Sequence, residues 1–82
     1  MEKRLSEMRC AEEGIVKSID GNLRNKVAGM GIRTGKKIEM VAKQPMKGPV
    51  VISVDEVSIS LGFGIANKII VETEDEKDIV NG

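Results

Sequence analysis

Between Lys37 and Leu61 three runs alternate apolar and polar residues with a period of two, and no other pattern constrains the fold as much. Ile38, Met40 and Ala42 share one face against Lys37, Glu39 and Lys43. Val50, Ile52 and Val54 oppose Val51, Ser53 and Asp55, and Val57, Ile59 and Leu61 oppose Ser58 and Ser60. Successive side chains of a strand point to opposite faces, so each run is a half-buried antiparallel strand with one wet face. Ile15–Ile19 and Lys68–Glu72 add two strands by their β-branched content. The first two alternating runs are joined through a loop bounded by Pro45 and Pro49. The next two leave only Asp55 and Glu56 for a hairpin, although neither residue favours the positive φ of the common two-residue turns.

One segment changes period. Leu23, Val27 and Met30 fall at i, i+4 and i+7, one face of a helix, with Asn22 placed to cap it. Gly31 follows the last apolar position, where a helix ends on a left-handed residue. Gly29 lies inside that final turn, so either the helix frays there or a strand passes too close for a β-carbon. Gly35 occupies the slot of the next turn that needs a positive φ. Residues 62–66 read as a bend or single helical turn. Leu5 and Met8 either share a short helical face or sit in an extended segment. Five strands with one short helix and a further helical turn predict a small SH3-like antiparallel barrel; an oligonucleotide-binding barrel would want longer strands and exposed aromatics.

The chain has 82 residues, enough for one domain, and 40% of them are apolar, with Phe63 the single aromatic. The core must therefore be aliphatic. No apolar run reaches the ~18 residues of a membrane span, and the lone Cys10 cannot form an internal disulfide, which together predict a cytoplasmic protein without membrane insertion. The formal charge is balanced at 13 and 13, but the segment from Glu72 to Asp78 is strongly acidic. Residues 1–72 are read as the barrel and 73–82 as an acidic, disordered tail.

Chemistry has little to work with. Histidine and tyrosine are absent, Cys10 has no histidine to activate it, and Glu12 and Glu13 beside it would raise its pKa. No Gly-x₄-Gly-Lys-Ser/Thr phosphate loop is present. No catalytic residue is assigned, and an enzyme is not expected. Cys10, Glu12 and Glu13 form the one local cluster of metal-ligand types, without the imidazole that ferrous iron accepts. The more informative signal is a surplus of apolar residues in the outward phase: Val41, Val51 and Ile70. Met46 and Lys47 top the proline-bounded loop, and Phe63 sits in the glycine bend. Either the helix and the N-terminal segment cover the first three, or these residues form a patch for a partner. Scattered lysines and the missing aromatic platform argue against nucleic acid, including an RNA-binding small barrel.

These residues carry a family resemblance. Leu5-Ser6-Glu7-Met8, Met30-Gly31-Ile32 with Gly35, Pro45 with Pro49-Val50, and Ala66 with Ile69 and Val71 together resemble the ferrous iron transport protein A (FeoA) family over Leu5 to Val71. The chain departs from the family's pattern at Lys26, Val27 and Gly29 in the helix and at Asp55-Glu56 in the hairpin. The resemblance implies an SH3-like barrel acting as an accessory of ferrous iron uptake. It further implies docking on the cytoplasmic GTPase region of the permease FeoB, with no required cofactor. Contact with Fe(II) or another transition metal would rest on family analogy alone. The same domain occurs in metal-dependent repressors, so a metal-responsive regulatory module is the alternative, although no DNA-reading helix precedes the barrel here.

Overall fold

The computed structural model describes residues 1–74. Six strands run β1 (Glu2–Arg4), β2 (Glu13–Ile19), β3 (Lys37–Lys43), β4 (Val50–Val54), β5 (Val57–Leu61) and β6 (Ile69–Glu72), with α1 (Arg24–Ala28) after β2 and α2 (Phe63–Ala66) after β5. They pair antiparallel in the order β1-β6-β2-β3-β4-β5. The expected antiparallel SH3-like barrel is present as β2 to β6, and the N-terminal segment adds a sixth strand. The acidic tail expected over 73–82 lies, from residue 75 on, outside the described residues.

The inward phase of the strands packs one aliphatic core. Val16, Ile38, Met40, Ile52, Ile69 and Val71 are all essentially inaccessible to solvent. Leu5 and Met8 belong to the same core. Of the two arrangements open for them in the sequence, neither holds alone: a 3₁₀ turn over Leu5–Glu7 is flanked by extended Arg4 and Met8. The Arg4 N–H donates to Glu7 Oε1 at 2.8 Å, closing that turn. Buried Ser6 donates its hydroxyl to Asn67 Oδ1 at 3.0 Å, fastening the turn to the end of α2.

Two strands carry an extra residue that bends them. In β3 the register moves from Met40↔Ile52 to Ala42↔Val51, leaving Val41 unpaired; in β2 it moves past Lys17 in the same way. The bulge corrects one expectation, because alternation breaks at Val41. Ala42 no longer shares the buried face of Ile38 and Met40, but lies half-buried opposite half-buried Val51. Such bulges raise local twist and let a short sheet curl.

The helix is shorter than its apolar spacing suggests. Val27 is buried and Leu23 packs against the core, but Met30 is 36% exposed. Its place is taken by Ile32, which is fully buried. The cause is a Schellman turn: Ile32 N–H donates to Val27 O at 3.0 Å and Gly31 N–H to Ala28 O at 3.0 Å, with Gly31 at φ +88°. Gly29 has an ordinary helical φ of −63° and only Lys26 O near a virtual β-carbon, so fraying rather than a crossing strand accounts for it. The cap is also reassigned. Asn22 makes no side-chain cap; its N–H instead donates to Asp20 Oδ1 at 3.0 Å, so the aspartate two residues earlier organises the entry. Gly35 has the positive φ expected of it, +93°.

Candidate docking surface

The six-residue connection between β3 and β4 is drawn tight. Gln44 N–H donates to Pro49 O and Gly48 N–H to Pro45 O, each at 3.2 Å. The inner bond closes a β-turn whose central residues, Met46 and Lys47, both have φ +61°. Non-glycine residues in this left-handed region are strained, at about 1–2 kcal/mol each. A β-carbon on Gly48 would stand 2.7 Å from Gln44 Cβ, so the closing position of the turn favours glycine. The loop, closed by these two hydrogen bonds, holds Met46 outward at its tip, where it is 94% exposed.

Other outward residues gather at the same end of the sheet. Val41, the bulged residue of β3, is 47% exposed, and half-buried Val51 lies beside it on β4. Val50 pairs with Leu61, so Gly62 and half-buried Phe63 leave β5 at the end of the β4–β5 pair that carries the loop. Val41, Met46, Lys47, Val51 and Phe63 are thus placed toward one end of the β3–β4–β5 portion, framed by Pro45 and Pro49. Ile70 is not among them. It pairs with Arg4 and Ser18 on the β1–β6–β2 side, with β2 and β3 lying between its strand and β4.

Cys10, Glu12 and Glu13 do not converge. Cys10 is exposed. Glu12 receives Lys3 Nζ at 3.0 and 3.2 Å and the Arg9 N–H at 2.8 Å, and Glu13 faces Lys37 Nζ at 3.2 Å. Among the described residues no three histidine, cysteine, aspartate or glutamate side chains are grouped to hold a metal ion. Glu12 instead has a structural task, bracing the turn that leads into β2. Burial raises its pKa, but the Arg9 N–H and the Lys3 ammonium outweigh it and hold the carboxyl below its ordinary value. A depressed folded-state pKa stabilises the fold above the unfolded value, and that contribution is lost as pH falls through the folded one. Glu12→Gln should accordingly flatten part of the acid limb in a urea-midpoint series against pH, and an unaltered limb would deny Glu12 this role.

Sequence reasoning missed two surface features. Val57, expected inward, is 59% exposed because β5 is an edge strand. A depression of about 560 Å³ opens at the other end of β3, around Glu13, Ile15, Lys37, Glu72 and Glu74. It is assembled from three strands distant in sequence, and no local motif marks it.

Fold and surface together define a small SH3-like barrel domain that displays a strained apolar loop tip. The chain belongs to the FeoA domain family, whose model matches residues 3–73. It is similar to a Methanocaldococcus jannaschii protein that bears the name Fe(2+) transport protein A, with 41% identity over 63 residues, 74% of each chain. A crystal structure of an iron uptake regulatory protein (FeoA) superposes with a TM-score of 0.82 at 37% identity, covering 90% of this chain and 100% of that one. A FeoA-like protein from Clostridium acetobutylicum does so with a TM-score of 0.78 at 30% identity, covering 88% and 86%. A manganese-dependent transcriptional repressor shares the fold alone, at 22% identity and a TM-score of 0.79, with 89% of this chain laid over 42% of the repressor. Among the described residues no helix is long and apolar enough to cross a membrane.

Proposed function

We propose that this chain is a non-enzymatic accessory protein of ferrous iron uptake that docks on the cytoplasmic GTPase region of the permease FeoB and modulates it. Family membership supports the iron-uptake setting. The observation that carries the docking reading is Met46, 94% exposed on a turn whose two central residues stand in left-handed backbone. Strain of this kind persists only where surrounding structure enforces it, and it gathers at functional sites. A flexible thioether at the tip adapts to a partner surface, while the two hydrogen bonds across the loop limit the entropy lost on binding. Iron in this reading is the cargo of the permease and needs no ligand from this chain.

Met46→Asp tests the reading cleanly. Aspartate tolerates positive φ better than methionine, so the turn should survive, as circular dichroism would verify. Calorimetric titration against the isolated GTPase region should then show affinity reduced at least about tenfold, the loss expected for a central contact residue. Unchanged affinity in a folded variant would remove this loop from the interface.

A further inference from the structure

The sheet ends differently on its two sides. One edge is β1, three residues long and made entirely of charged Glu2, Lys3 and Arg4, features that discourage pairing with another strand. The other edge is β5, whose five residues Val57-Ser58-Ile59-Ser60-Leu61 carry no charge, no proline and no bulge. The Asp55-Glu56 turn, with φ +50° and +67°, makes Val54 and Val57 the pair flanking a two-residue hairpin. In such a ladder hydrogen-bonded and non-bonded pairs alternate, so Val57, Ile59 and Leu61 turn their N–H and C=O groups toward β4. Ser58 and Ser60 turn theirs outward. Both are exposed, and no backbone hydrogen bond beyond the β4–β5 ladder engages β5 among the described residues.

We propose that this edge pairs with β5 of a second copy, antiparallel about a two-fold axis through Ile59. This rests on the free edge and not on the permease reading. In that register Ser58 of each copy exchanges N–H···O=C bonds with Ser60 of the other, which uses every outward backbone group of the strand. On one face half-buried Ile59 meets its own counterpart and is the apolar contact of the pair, while exposed Val57 falls opposite Leu61, whose side chain is already buried in its own core. Serine meets serine on the other face. Beyond the strand Glu56 falls opposite Gly62, so the flanking turn brings no carboxylate against a carboxylate. The strand is self-complementary in bonding pattern, side-chain chemistry and charge. A five-residue edge contact lies below the ~1,200–2,000 Å² buried in stable interfaces, so the dimer belongs to the weak, concentration-dependent class.

The test is sedimentation velocity on the full chain from micromolar to millimolar concentration, with amide hydrogen exchange followed by NMR. The weight-average mass should rise toward twice the monomer, and the Ser58 and Ser60 amides should slow with concentration while amides of buried β4 stay constant. Val57→Lys, at an exposed position, should keep the fold and shift self-association to at least about tenfold higher concentration by placing a cation on the edge. Ser60→Pro, which deletes one outward N–H, should do the same. A monomer throughout the range, or a dimer that both folded variants leave intact, would overturn the proposal.

Discussion

Leu5→Ala should bring this domain close to the limit of its stability. Leu5 is fully buried, and truncating a buried leucine costs about 2–5 kcal/mol through lost transfer energy and the cavity left behind. A chain of this length has a total margin of about 4–12 kcal/mol, so one side chain five residues from the start accounts for a large share. The site has little freedom to collapse, because its 3₁₀ turn is held by the Arg4–Glu7 bond on one side and by Ser6–Asn67 on the other. Urea denaturation followed by circular dichroism should show a much lower midpoint with a similar slope. A midpoint equal to the parent's would mean that the N-terminal segment is an attachment and that β2 to β6 suffice alone.

The size of that effect also explains what could be read from the residues and what could not. The strands β3, β4 and β5 were legible because each has a buried and a wet face, so burial prints its period directly on the chain. Gly31 and Gly35 were legible because a positive φ excludes most alternatives. Leu5 and Met8 were ambiguous because two apolar residues three apart satisfy several local geometries. The Arg4–Glu7 bond closes the 3₁₀ turn locally, and long-range docking through Ser6 onto Asn67 fixes it against the barrel. The phase slip at Val41 has the same origin: a bulge answers to the curvature of the whole sheet, and its sequence is that of an ordinary strand. Val57 looked like its neighbours in the buried phase because position at an edge is a property of topology, not of a five-residue window.

The candidate surface divides along the same line. Met46 and Lys47 stood out through the prolines that frame them, and Val41 and Val51 through their outward phase. Ile70 shares that phase but not the place, since strand order sets it beside Arg4 and Ser18. Periodicity assigns a side chain to a face, and only pairing says which outward residues are neighbours. For Glu12 and Glu13 proximity in sequence was a poor guide, because each carboxylate faces a lysine from another part of the chain.

Gly31→Val should cost about 1–2 kcal/mol through backbone conformation alone. The residue stands at φ +88°, and nothing lies within 4 Å of where its β-carbon would go. A steric clash with neighbours therefore contributes nothing, and the penalty isolates the left-handed turn itself, made worse for a β-branched side chain. The turn matters beyond its own geometry, because its two hydrogen bonds bring Ile32 back over Val27 and so seat a core residue that helical spacing alone would have left outside. If valine forces the chain out of this conformation, Ile32 must leave the core or the last helical turn must unwind. Gly31→Asn is the natural control, since asparagine enters the left-handed region more readily and should lose clearly less. Urea midpoints in the order glycine, asparagine, valine would establish that conformational freedom at this one position holds α1 against the barrel. Equal midpoints would show that the helix can end by another route and that Ile32 reaches the core without the left-handed residue.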